Sequence, residues 1–111
     1  MHIVMVKKVR SDGSPCRKCA DVEARLDEAN LRHKIDEIII ADERDPDSEG
    51  MQLARKHQVD LAPFFIVRDD DGTERVYTVY FRFLKEVLHK NSSESEEIAE
   101  LMERNPDLDY L

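Results

Sequence analysis

The chain has 111 residues, of which 41% are hydrophobic, a size and composition that suit one globular domain with a modest core. Acidic residues outnumber basic ones by 25 to 17, and the formal net charge of -8 disfavours nucleic acid as a partner because phosphate backbones attract basic proteins. The apolar N-terminal stretch is too short for a signal peptide, and no run approaches the roughly 20 apolar residues of a membrane span. We therefore expect a cytoplasmic protein with no membrane contact.

The first part of the chain alternates strand and helix patterns. Residues 3–9 form a short, nearly continuous apolar run, which is typical of a strand buried on both faces. Residues 11–15 are turn formers, and apolar residues then recur at helical spacing over residues 17–30. The β-branched run within residues 35–41 indicates a second interior strand. This order predicts a strand, helix, strand unit.

The next part of the chain predicts a helix, a hairpin and another helix. The helix over residues 47–57 begins at a capping Asp or Ser, although Gly50 weakens this prediction. Residues 59–67 predict a strand whose two adjacent phenylalanines must face opposite sides of the sheet. A turn at residues 69–72 leads into an antiparallel strand over residues 75–80, and a helix follows to about residue 91.

Residues 92–111 form an acidic extension that we expect to be helical. Ser93 and Glu96 have the spacing of a capping box, and apolar residues recur at helical spacing after them. The whole pattern predicts an α/β fold, in which crossover units and one hairpin give a mixed four-stranded sheet flanked by helices. The domain is expected to span residues 1–91, with an extra C-terminal helix beyond it.

The motif Cys16-Arg17-Lys18-Cys19 is the main functional signal. A CxxC pair between a strand and a helix is the context of a redox motif, and one helical turn puts both sulfurs on the same face. The positive helix N-terminus stabilises a thiolate, so we expect Cys16 to attack a disulfide and Cys19 to resolve the product. Arg17 and Lys18 are expected to stabilise the thiolate or contact an acidic partner. Lys8 either adds to this positive patch or is an ordinary surface lysine.

The first strand, the CxxC helix and residues 59–67 resemble a thioredoxin or glutaredoxin domain over roughly residues 2–90. Residues 59–67 have the sequence Val-Asp-Leu-Ala-Pro-Phe-Phe-Ile-Val. The resemblance implies a thioredoxin-like βαβ-ββα fold in which Pro63 is cis and faces the cysteines. Ala62 and Pro63 would then shape the substrate groove. It also implies a thiol-disulfide oxidoreductase or electron carrier whose substrate is a protein disulfide. Its upstream reductant would be a reductase or glutathione, and it would need no cofactor beyond its own disulfide.

Three features differ from those families, one of them the absence of the tryptophan that precedes the thioredoxin motif, and two other functions stay open. Arg17 and Lys18 stand where thioredoxin has Gly-Pro and glutaredoxin has Pro-Tyr, and residues 69–72 lack the Gly-Gly of glutaredoxins. A metal or iron-sulfur cluster carrier would use the same cysteines as ligands. The four histidines show no ligand spacing, so we assign no separate metal site. A non-catalytic binding module would keep only the fold. We expect a monomer or a weak dimer.

Overall fold

The structure is a computed structural model that describes residues 1–89. Its strands and helices in chain order are β1 (His2–Val9), α1 (Arg17–Glu28), β2 (Glu37–Asp42), α2 (Glu49–Lys56), β3 (Phe64–Arg68), β4 (Glu74–Tyr77) and α3 (Tyr80–Glu86), with a 3-10 turn at Arg32–Lys34 that the sequence analysis did not predict. The α/β class is confirmed. The predicted C-terminal helix and the domain boundary near residue 91 lie outside the described residues. No helix within residues 1–89 is long and apolar enough to cross a membrane.

β1 is an inner strand of a four-stranded sheet with the order β2-β1-β3-β4. It pairs parallel with β2 and antiparallel with β3, and β3 pairs antiparallel with β4. Its apolar run is explained by burial on both faces, because Ile3 and Met5 face one core while Val4 and Val6 face the other. The predicted mixed four-stranded sheet is therefore confirmed.

The two phenylalanines of β3 divide between these cores, as predicted. Phe65 stacks on Phe83 of α3 with ring centroids 4.0 Å apart, in a cluster that also contains Leu26 of α1. Phe64 lies on the opposite face with Ala54 of α2. One face of the sheet is thus covered by α1 and α3, and the other by α2.

Two strands are shorter than predicted because residues expected at one end of each strand belong to a neighbouring helix or close it. β3 begins at Phe64 because the preceding residues close α2, where Val59 N–H donates to the carbonyl oxygen of Ala54 at 2.9 Å. β4 ends at Tyr77 because Tyr80, which was assigned to the strand, is buried in the first turn of α3. Both bounds depend on contacts between elements, which the local pattern does not contain.

Gly50, which weakens the helix prediction, is required by the packing of α2. A Cβ atom at this position would collide with the backbone of Ile40 and Ala41 in β2. The absence of a side chain lets the first turn of α2 lie directly against the strand. Glycine has a low helix propensity, but here it allows the helix and the sheet to approach closely.

Candidate dithiol site

A tight turn after β1 brings the cysteine motif back alongside that strand. Arg10 N–H donates to the carbonyl oxygen of Ser14 at 2.8 Å, and Gly13 N–H donates to the carbonyl oxygen of Arg10 at 2.8 Å. Gly13 has a φ of 85°, in the left-handed region that favours glycine. The Ser14 hydroxyl and N–H both donate to the carboxylate of Asp12, which holds the pKa of Asp12 below its ordinary value. These contacts explain why the predicted turn forms here.

Cys16 is the N-cap residue of α1, in agreement with its expected place at the helix start. Its backbone is extended, and its Sγ accepts a hydrogen bond from Cys19 N–H at 3.2 Å. An N-cap side chain ordinarily offers an oxygen to this backbone donor, and here sulfur takes that role. The hydrogen bond and the positive helix end favour the thiolate of Cys16, while burial opposes it.

The backbone of Lys8 in β1 holds both cysteines. Lys8 N–H donates to Cys19 Sγ at 3.4 Å, and Cys16 N–H donates to the carbonyl oxygen of Lys8 at 3.1 Å. Both cysteine side chains are buried, with exposed fractions of 0% for Cys16 and 1% for Cys19. The motif therefore lies against the C-terminal end of an inner strand, with both sulfurs inside the protein.

Ala62 packs with the two cysteines in a small buried cluster, separate from the two main cores. The Ala62-Pro63 peptide bond is cis, and both residues are buried. The structure thus brings together three of the predicted site residues, the two cysteines and Ala62, although Ala62 is far from the motif in the sequence. The role of Ala62 and Pro63 in substrate binding stays a prediction.

Arg17 and Lys18 both lie in the first turn of α1, Arg17 exposed and Lys18 half-buried. The first turn contains no acidic residue. Cations at this end of a helix oppose the helix dipole, so their presence needs another explanation. An acidic partner surface provides one, and that role also stays a prediction.

Lys8 is the residue whose environment the sequence analysis got wrong. We expected it on the surface or in a positive patch, but it is 3% exposed, and no other charged residue within residues 1–89 is buried. Its Nζ lies 3.3 Å from Oε1 of Glu43, which directly follows β2. Strand alternation was the available signal, because Lys8 shares a face with Val4 and Val6, which point toward α2.

Within the described part of the chain, no group of three or more His, Cys, Asp or Glu side chains is placed to hold a metal ion. No family model, curated protein or solved structure matches this chain. The functional argument therefore depends on the residues themselves and their geometry.

Proposed function

We propose that this chain is a thioredoxin-like thiol-disulfide oxidoreductase or electron carrier that works through Cys16 and Cys19. The observation that carries the proposal is the N-cap position of Cys16, whose sulfur accepts the N–H of Cys19 at 3.2 Å. This position puts one sulfur at the positive end of α1 and the second thiol one turn further along. The order of strands and helices, with Ala62 and Pro63 beside the motif, supports the thioredoxin-like assignment.

The reaction is a two-step exchange. The thiolate of Cys16 attacks one sulfur of a substrate disulfide, so that this S–S bond breaks and a mixed disulfide forms, while the other substrate sulfur leaves and takes up a proton. Cys19 then loses its proton and attacks the Cys16 sulfur, releasing the second substrate thiol. Two electrons pass from the dithiol to the substrate. An external dithiol, or two molecules of glutathione, reduces the internal disulfide again.

We propose two further roles for residues around the cysteines. Ala62, which packs with both cysteines, and the adjacent Pro63 would offer backbone groups to an extended substrate. The exposed Arg17 would attract an acidic substrate surface. Because Cys16 is buried, a substrate reaches its sulfur only after the covering side chains move aside.

A redox titration tests the proposal, with free thiols counted by mass-tagged alkylation. We expect one reversible two-electron transition at roughly -200 to -270 mV, as in thioredoxins and glutaredoxins. Cys16→Ser is expected to abolish disulfide reduction, while Cys19→Ser accumulates a mixed disulfide with the substrate. Absence of a reversible transition would contradict the proposal, and absence of any adduct in Cys19→Ser would contradict the assigned roles.

The same preparation distinguishes the two other functions. A cluster or metal carrier purified without oxygen would contain iron or zinc, and the metal would be lost when either cysteine is replaced. A binding module would keep its partner when both cysteines are replaced. Colourless, metal-free protein that still titrates supports the oxidoreductase over both.

A further inference from the structure

Lys8 connects the two cysteines to a buried charge. Its backbone N–H donates to Cys19 Sγ at 3.4 Å, and its carbonyl oxygen accepts from Cys16 N–H at 3.1 Å. Its side chain is 3% exposed and leaves β1 on the face of Val4 and Val6, which is the face that α2 covers. The ammonium therefore lies inside the protein, behind the strand against which the motif packs.

Glu43 fixes this ammonium next to the motif. Its Oε1 lies 3.3 Å from Lys8 Nζ, and its backbone N–H donates to the carbonyl oxygen of Val9 at 2.9 Å. Val9 in turn forms a bridge with Pro15, the residue before the first cysteine. The side chain of Glu43 is 28% exposed, so water screens its charge more than that of Lys8. The positive charge is thus the less screened member of the pair.

The ammonium of Lys8 is close enough to act on the sulfurs through the protein. The contact of 3.4 Å between Lys8 N and Cys19 Sγ, together with the length of a lysine side chain, limits the distance from Nζ to that sulfur to roughly 11 Å. At that distance and an effective dielectric constant of about 20, Coulomb's law gives about a tenfold change in an equilibrium constant. Arg17 is also positive, but it is exposed, and water weakens its effect.

We propose that Lys8 and Glu43 together set the redox potential of the dithiol, an inference that rests on the proposed function. Reduction of the internal disulfide takes up two electrons and one proton from a dithiol reductant, and leaves one thiolate and one thiol. The ammonium of Lys8 stabilises this negatively charged product but not the neutral disulfide, which makes the disulfide a stronger oxidant. The carboxylate of Glu43 offsets part of that effect. Both are positioning residues, because they act on the sulfurs without touching the substrate.

The opposite charges of the two residues provide the test. Lys8→Met is expected to raise the midpoint pH of thiolate formation by about one unit, a tenfold weaker acid, and Glu43→Gln to lower it by roughly half a unit. The ultraviolet absorbance of the thiolate in reduced protein measures the midpoint, after subtraction of the signal of a variant with both Cys16→Ser and Cys19→Ser. Circular dichroism checks folding, and if Lys8→Met does not fold, the sign of the shift in Glu43→Gln decides.

Redox titration of the same variants, at a pH above all their midpoints, measures the consequence for the potential. A tenfold change corresponds to about 30 mV for a two-electron couple, so Lys8→Met should lower the potential by about 30 mV and Glu43→Gln should raise it by less. Lys56→Met is the control, because it removes the same charge where Lys56 Nζ lies 3.8 Å from Glu74 Oε1. Glu74 pairs with Arg68, which lies opposite the start of β1, at the far end of the sheet from the motif. The control should leave the midpoint and the potential unchanged.

Two results would overturn the inference. Shifts of the same sign in Lys8→Met and Glu43→Gln would show a structural disturbance, and unchanged values in both would show that the pair does not act on the sulfurs. Wild-type protein that titrates reversibly in either case would leave the proposed function intact. Wild-type protein without a reversible transition would contradict the proposed function, whereas the thiolate midpoints would still show whether the two charges act on the sulfurs.

Discussion

The two edges of the sheet are built from opposite kinds of residues. β4 is short and charged, with Glu74 Oε2 2.8 Å from Arg68 Nε and Arg75 Nε 3.0 Å from Asp69 Oδ2. β2 is longer, and it exposes Ile38 and Ile40 between charged residues at its two ends. Charged side chains on a short edge strand oppose pairing with another chain. One edge of the sheet formed by residues 1–89 is therefore charged, and the other exposes apolar side chains.

Gly50→Ala, next to the β2 edge, should have the largest effect on stability because it separates α2 from β2. The added Cβ collides with strand backbone, and we expect a loss of about 3 kcal/mol in the free energy of unfolding, measured by urea denaturation. Gly72→Ala is the control, since nothing lies near its Cβ and only its left-handed φ of 89° costs energy, about 1 kcal/mol. Equal losses in the two variants would show that Gly50 is not a packing requirement.

A pair of alanine substitutions in β2 sharpens the difference between its two faces. Ile39 is 6% exposed and packs toward α2, so Ile39→Ala should lower the free energy of unfolding by about 3 kcal/mol. Ile38 is 39% exposed, and Ile38→Ala should cost less than about 1 kcal/mol. Urea denaturation measures both losses. A similar cost at both positions would contradict the assigned faces.

A smaller effect is expected just beyond β2, at the Lys8–Glu43 ion pair. Glu43→Gln removes the negative charge that offsets the buried ammonium of Lys8. We expect a loss of about 1 to 2 kcal/mol in the free energy of unfolding. The value is below that of a fully buried pair because Glu43 is 28% exposed. Adding Lys8→Met should recover part of the loss, since the buried charge is then removed too. Thermal or urea unfolding of the single and double variants measures this coupling, and a double variant less stable than Glu43→Gln would contradict it.

The smallest expected effect is the response of β4 to acid. The hydrogen bond from Arg68 is the main cause that lowers the pKa of Glu74 from its ordinary value of 4.5. A carboxylate with a lowered folded-state pKa stabilises the protein above its ordinary pKa, and this contribution is lost as the pH falls through the folded-state value. Glu74→Gln should therefore flatten the decrease in the free energy of unfolding below about pH 4.5.

Urea unfolding between roughly pH 3 and 6, the range in which carboxylates titrate, measures this slope. Arg68→Met removes the cause of the shift and should flatten the profile to a similar extent. If both variants kept the wild-type slope, the ion pairs of β4 would have no part in acid stability.

Much of the fold was predictable because it depends on local patterns. The apolar run of β1, the helical spacing of α1 and the turn before the motif each involve neighbouring residues. The mixed sheet followed from the general rules for crossovers and hairpins. The ends of β3 and β4 were not predictable, since they depend on how α2 closes and on where the ring of Tyr80 packs.

The sequence by itself determined that Cys16 begins α1 with Cys19 one turn later, because an N-cap is a property of consecutive residues. Only the tertiary structure decided that Lys8 is buried beside Glu43, and that Ile40 in an equally apolar strand stays exposed. Strand patterns look alike wherever they lie in a sheet. Burial instead depends on which helices cover a strand and whether it has a neighbour on each side, and these are relations between distant parts of the chain.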